Sequence, residues 1–292
     1  MDDIISQIIN PENLYWAWEK AKKAYSQVDT LYDEIEVAAF ETNLAEELQK
    51  IQKDISNESY KVSPIKPVAH PKSAKKNKPR TRQTFWISVR DQVTWIAVVN
   101  IIGPYLDRAM PFWSFGNRLY ISVFPKKEES KGEIKWGFGP YRHTTKHIYR
   151  KWKQSWPFYR RCVSIVTKKM THIRAKDGSN TDNASWYDEK EFEVMENNES
   201  LPEHLKVKYL ENEYWEEQEL SGEIYWASID LKEFYPNINT DVIINNFKEY
   251  FPKDKQTPEL ENLFKTLLMF PIDKSGWTKS QLEKIGIRDE EI

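Results

Sequence analysis

The sequence is poor in cysteine, in glycine and in long apolar runs, and each shortage removes a class of protein. Of 292 residues one is cysteine, Cys162. A lone cysteine makes no internal disulfide and no thiolate metal site, which points to a reducing compartment. Nine glycines are present, with no Gly-x-x-x-x-Gly-Lys phosphate loop and no dinucleotide-binding Gly-x-Gly-x-x-Gly fingerprint. No stretch nears the roughly 18 uncharged apolar residues of a membrane span. The start, MDDIISQIINPENLYW, has no basic region leading into an apolar one, so no secretory signal is expected. A cytoplasmic protein without membrane association is the plain expectation. No repeat with a period of 20–50 residues is visible.

What is abundant is charge, at 30%, and aromatic residues, at 14% with 12 Trp. Disordered chains are poor in aromatics, so a folded chain of one large or two ordinary domains is expected. The net charge of −2 conceals an asymmetry. From Lys61 to Lys176 there are 26 Lys and Arg against 5 Asp and Glu, whereas the flanks hold 17 basic and 40 acidic residues. A basic middle between acidic flanks suits a polyanion groove, or else basic loops on a solvated face.

Along the first 60 residues apolar positions recur at steps of three and four. Leu14, Trp18, Ala21 and Tyr25 form one helical stripe, and Val37, Phe40, Leu44, Leu48, Ile51 and Ile55 a second. From Ser63 to Arg82 four prolines and seven basic residues exclude a regular helix and predict an extended basic loop or arm, as linker or as phosphate contact. Phe85 to Val89 has strand-like composition. A helix is expected from about Arg90, with Val93, Ile96, Ala97 and Ile101 on one face, interrupted at Gly103-Pro104. A turn around Gly116-Asn117 leads to the strand-like run Leu119 to Phe124.

Between Lys135 and Arg174 aromatics alternate with cations, and Ile148, Trp152 and Trp156 are spaced to share a helix face. Such rings either pack a core or stack bases while Arg150, Lys153, Arg160 and Arg161 hold phosphates. His143 and His147 are spaced as metal ligands on a helix sometimes are, but no third ligand accompanies them. Residues 176–222 are polar and increasingly acidic and read as an inserted segment. Helices are then expected near Thr240 to Tyr250 and after Pro258, through Leu260, Phe264, Leu267 and Leu268; the tail offers no readable chemistry.

The chemically informative run is Trp226-Ala-Ser-Ile-Asp230-Leu-Lys-Glu-Phe-Tyr235-Pro-Asn-Ile-Asn239. A β-branched and aromatic strand delivers a carboxylate at its end, beside a backbone carbonyl, and a turn and helix follow. Two such oxygens suit a hard cation, and hard cations serve phosphoryl transfer. The run resembles the first catalytic palm motif of reverse transcriptases. Upstream, Pro71-Lys72, the helix opened by Arg90-Asp91-Gln92-Val93, and the turn Ser114-Phe-Gly-Asn-Arg118 resemble the fingers of bacterial reverse transcriptases of the group II intron and retron lineage. Met110 to Tyr120 and Tyr225-Trp226 are most similar to the defence-associated, abortive-infection-like branch.

That resemblance implies an α+β fold, a right-hand polymerase with an N-terminal helical segment (1–60), a basic fingers region (61–222) and the first part of a palm (223–292). It implies an RNA-directed DNA polymerase in anti-phage defence that copies an RNA template into DNA from dNTPs. By resemblance Asp230 is catalytic and binds Mg²⁺, with the Leu231 carbonyl as a second ligand and two ions in the complete enzyme. Tyr235 would exclude the 2′-hydroxyl of the incoming nucleotide, and Arg80 and Arg82 would hold its triphosphate. Lys75, Lys76 and Lys78 of the arm and Arg118 of the turn join Arg150, Lys153, Arg160 and Arg161 as candidate nucleic-acid contacts.

The sequence departs from the family in one respect: it has neither a Tyr-x-Asp-Asp turn nor the Gly-Leu-Pro-x-Gly-like motif before it. The expectation is a chain inactive alone, completed by further sequence, a second polypeptide or another copy of itself. The alternative is a non-catalytic RNA-binding or assembly module derived from such an enzyme.

Overall fold

A computed structural model of the chain describes residues 3–26, 32–75, 78–110, 114–127, 134–150, 155–156, 159, 163 and 238–284. Helices and two separate two-stranded antiparallel sheets make up the described residues, an α+β combination. No helix among them is long and apolar enough to cross a membrane. The chain divides into two compact units: Met1–Gly103 with His143–Ile148 and Asn239–Ile292, and Pro104–Arg142 with Tyr149–Ile238.

In the first unit, helix α1 (Ile4–Ile8) is followed by α2 (Pro11–Tyr25). Asn10 caps α2 by accepting from the Glu12 amide at 2.9 Å, and Pro11 takes the first helical position, where a missing N–H costs nothing. The expected stripe of Leu14, Trp18, Ala21 and Tyr25 is buried, joined by Ala17. The second stripe is divided between two helices, α3 (Glu34–Thr42) and α4 (Leu44–Ser56). The break lies at Asn43, whose side-chain amide donates to the Ala39 carbonyl at 3.0 Å. A short amide that competes for backbone carbonyls ends a helix despite continuous apolar spacing. Of that stripe Phe40, Ile51 and Ile55 are buried. Helix α4 closes in a Schellman arrangement. The Ser59 amide donates to Asp54 at 2.9 Å and that of Glu58 to Ile55 at 3.0 Å, which puts Glu58 at φ 53° where glycine is the usual choice.

Helix α5 (Val89–Ala109) starts with Ser88 and Asp91. The Asp91 amide donates to Ser88 Oγ at 3.1 Å, and Asp91 Oδ2 accepts from Ser88 Oγ at 2.6 Å and from the Ser63 amide at 2.8 Å. Asp91 Oδ1 accepts from the Tyr60 hydroxyl at 2.7 Å. A fully buried carboxylate is thus satisfied by three donors, and it fixes the segment before the basic arm to the start of α5. Gly103-Pro104 does not end this helix, contrary to expectation; it continues to Ala109 with Pro104 inside. One i to i−4 bond is forfeited, but Val93, Ala97, Val98 and Ile102 hold the helix in the core. Buried Asn13 ties α2 to α5, donating to the carbonyls of Ile8 at 2.8 Å and Ala97 at 3.0 Å and accepting from Asn100 at 2.9 Å.

The two downstream helices lie as expected: α6 (Thr240–Tyr250), capped by Asn239, and α7 (Pro258–Leu268), capped by Thr257. Phe247 stacks on Phe264 with centroids 4.5 Å apart, and Trp95 of α5 meets Phe264 edge-on at 5.8 Å. The tail forms a short helix α8 (Lys279–Lys284), which buries Leu282 against Phe85, Ile272 and Trp277.

The first unit also holds the strands β1 (Lys66–Lys75) and β2 (Lys78–Trp86), and the second contains the hairpin β3 (Ile121–Lys127) and β4 (Ile134–Tyr141). Asn117 takes the left-handed conformation (φ 54°) that the expected turn requires. Strand β4 was not legible: its two glycines and one proline, in KWGFGPY, hide the alternation. Nor does a helix begin at Ile148, because Tyr149 instead bridges to Leu119 antiparallel.

Candidate nucleic-acid interface

The Ser63–Arg82 arm is a β-ribbon rather than an irregular loop. Strands β1 (Lys66–Lys75) and β2 (Lys78–Trp86) pair antiparallel, with Lys66 opposite Trp86, Val68 opposite Thr84, His70 opposite Arg82 and Lys72 opposite Arg80. Prolines are tolerated because a two-stranded ribbon has an outer edge on each strand. Pro67 and Pro71 lie opposite Phe85 and Thr81, and a proline fits a ribbon where its missing N–H would face the outer edge. They also blunt that edge against further strand addition.

A lone hairpin is marginally stable, so its base is anchored. Ile65 pairs in parallel with Ile272: its amide donates to Pro271 at 2.8 Å and its carbonyl accepts from Asp273 at 2.8 Å. Lys66 Nζ sits 4.8 Å from the Trp86 ring centroid, Thr84 Oγ1 donates to the Val68 carbonyl at 2.7 Å, and Phe85 packs towards Leu282.

Residues two apart on a strand, and residues directly opposite, share a face. One face therefore holds Lys66, Val68, His70 and Lys72 with Arg80, Arg82, Thr84 and Trp86; the other holds Pro67, Ala69 and Pro71 with Thr81, Gln83 and Phe85. Beyond a register shift, Lys75 faces Lys78. Between Glu58 and Asp91 the sequence has nine Lys and Arg and no acid. Directly opposed like charges destabilise a sheet by about 0.2–1 kcal/mol a pair. The Lys72–Arg80 and Lys75–Lys78 pairs are therefore places where an external anion relieves repulsion. A duplex or single strand of nucleic acid supplies anions at a spacing of a few ångströms, which suits a row of cations.

The ribbon thus brings together four of the residues singled out in the sequence, Lys75, Lys78, Arg80 and Arg82. Lys72 and His70 were missed, although the i, i+2 spacing of His70-x-Lys72 and Arg80-x-Arg82 carries the signal once the segment is read as strand. Lys76, Lys153, Arg160, Arg161 and the entire palm motif, including Asp230, Leu231 and Tyr235, lie outside the described residues. The described chain resumes at Ile238, and α6 follows the motif directly.

Arg118 and Arg150 are placed differently from their expected role. Arg118 is 1% exposed. Its Nη2 donates to the Asp107 carbonyl at 2.6 Å and to Asp107 Oδ2 at 3.2 Å, and its Nε lies 3.1 Å from Oδ1. Oδ1 also accepts from the Leu119 amide at 3.0 Å. Arg150 donates from its amide to the Arg118 carbonyl at 2.9 Å and from Nε to the Leu119 carbonyl at 3.2 Å. Burial lowers the pKa of both, that of Arg150 to about 10, against the opposing pull of Asp107. Both guanidiniums brace the corner where α5 meets the Gly116-Asn117 turn, so the second unit spends these charges internally.

His143 and His147 lie in a non-helical stretch, and the His143 carbonyl accepts from buried Lys20. Among the described residues no three His, Cys, Asp or Glu are grouped to hold a metal ion. Compared with known proteins, the chain matches no family model, no curated protein and no solved structure.

Proposed function

We propose that the chain is the fingers and first palm segment of an RNA-directed DNA polymerase of the defence-associated kind, and that the β1–β2 ribbon is one of its RNA contacts. The nucleic-acid part of this reading is carried by the like-charged positions that the ribbon sets opposite one another, Lys72 with Arg80 and Lys75 with Lys78. The polymerase part is carried by the run from Trp226 to Asn239, and the Asn239-capped helix follows that run where the sequence pattern predicts one.

The reaction would extend a 3′-hydroxyl with deoxynucleotides and release pyrophosphate. Bound Mg²⁺ would neutralise charge on the transferring phosphoryl group. Asp230 and the Leu231 carbonyl are hard oxygen donors of the kind that ion prefers, yet one carboxylate falls short of what a two-ion site needs. Tyr235 would select the sugar, and Arg80 and Arg82 would hold phosphates. A second reading, the non-catalytic RNA-binding module, is favoured by the absence of Tyr-x-Asp-Asp from the sequence.

Primer extension on an RNA template by the full gene product separates the two. Polymerase activity that Asp230→Ala abolishes, with RNA affinity nearly unchanged, is the expected result. Incorporation at the unaltered rate by that variant refutes the role of Asp230. RNA binding without any incorporation by the unaltered protein selects the second reading.

A further inference from the structure

The second unit carries an aromatic stripe of two half-open rings, Trp156 and Tyr159. Ser155, Trp156 and Tyr159 have helical backbone. Trp156 and Tyr159 are exposed, at 50% and 42%. The rings are already ordered against one another. Trp156 and Tyr159 lie 5.3 Å apart at 30°, and Phe115 meets Tyr159 edge-on at 5.7 Å and 77°. An ordered, near-parallel pair of half-open rings is a preformed surface for another flat ring.

The sequence that carries the stripe says which occupant fits. From Ile134 to Lys176 it has twelve Lys and Arg and no Asp or Glu; of these, Arg150 is turned inward and Lys146 pairs with Glu19 at 2.5 Å. An apolar partner protein gains nothing from that excess, and a cationic ligand is repelled by it. A polyanion that also presents flat faces is matched on both counts. In a duplex those faces are covered by neighbouring base pairs, so they are free only in unpaired nucleotides.

We infer that Trp156 and Tyr159, braced by Phe115, form a stacking platform for the unpaired bases of a single nucleic-acid strand. This rests on the nucleic-acid part of the proposed function but not on catalysis at Asp230. Stacking uses the π face common to all bases, so the platform is tolerant of sequence. It contributes no phosphate contact of its own.

The test uses the full chain and fluorescein-labelled 12-mers of oligo(rA), oligo(dA) and an abasic tetrahydrofuran strand of equal charge, read by anisotropy. Each lost base–ring stack lowers affinity about tenfold. The unaltered protein is expected to bind oligo(rA) at least that much more tightly than the abasic strand. Trp156→Ala should remove this advantage without changing the salt dependence, while Trp156→Phe largely retains it. Equal binding of oligo(rA) and oligo(dA) would show that the base, not the sugar, is recognised; a preference for one names the strand that the platform serves.

Oligo(rA) bound equally well by Trp156→Ala, folded by circular dichroism, overturns the platform, as does an abasic strand bound equally well by the unaltered protein. Dissociation of a homo-oligomer by Trp156→Ala, with oligo affinity unchanged, also overturns it and assigns the stripe to protein contact. Failure of the unaltered protein to bind any of the three strands brings down the nucleic-acid reading itself. Binding that responds to ribbon substitutions but not to Trp156→Ala brings down the platform alone.

Discussion

Removing Lys72, Arg80 and Arg82 together should separate electrostatic binding by the ribbon from everything else the chain does. These cations share one face, with Lys72 directly opposite Arg80. If each neutralises one phosphate, the slope of log K against log salt falls by about 0.7 per lost cation on a single strand and about 0.9 on a duplex. For the triple alanine variant the slope should shrink by about 2 to 3. At 0.15 M salt each lost contact costs roughly four- to sixfold, so affinity should fall roughly 50- to 200-fold. Folding should not suffer, because the substitution relieves a like-charge pair worth about 0.2–1 kcal/mol. Anisotropy titrations of labelled RNA between 50 and 300 mM KCl, with thermal unfolding in parallel, read both quantities. An unchanged slope, with affinity within twofold of the unaltered protein, would refute the assignment of the ribbon.

Two further predictions concern the scaffold. Lys20 is 1% exposed and donates to the His143 carbonyl, and burial lowers its pKa from 10.5 to about 8. Between pH 8 and 10.5 the unfolded chain keeps a proton that the native chain has released. This group therefore makes stability rise with pH across that window, by about 3 kcal/mol in all. Urea unfolding at several pH values should show the rise, and Lys20→Met should flatten it; an identical pH profile in the variant would contradict the placement of Lys20. In the second unit, Asp107→Ala leaves Arg118 buried without its counter-charge and should cost about 3–5 kcal/mol. Paired apolar replacement, Asp107→Leu with Arg118→Met, should cost less than the single substitution, as a double-mutant cycle would show.

Sequence legibility followed how locally each element is specified. Helices α2, α6 and α7 announce themselves through a periodic stripe and a capping residue next to a proline or acid, and they lie where expected. The division at Asn43 was not legible, because the apolar spacing runs through it and one side-chain hydrogen bond decides. Pro104 misled in the opposite direction: a helix anchored by buried Val98 and Ile102 absorbs a break that would stop an isolated one. The ribbon escaped notice because prolines and lysines dominate a segment whose pairing depends on anchors more than 180 residues away, at Pro271, Ile272 and Asp273. Chemical identity showed a similar division. The basic excess was plain from composition, yet composition does not distinguish Arg118, folded inward onto Asp107, from the cations arrayed on the ribbon.

The most direct test of the central claim locates RNA on the ribbon itself. Acetylation of lysines by a water-soluble reagent, quantified by mass spectrometry with and without saturating RNA, reads Lys72, Lys75 and Lys78 individually. The account predicts strong protection of all three on RNA binding, with Lys22, Lys50 and Lys265 of the helices unaffected. Equal reactivity of the ribbon lysines in the free and the RNA-bound protein would contradict it.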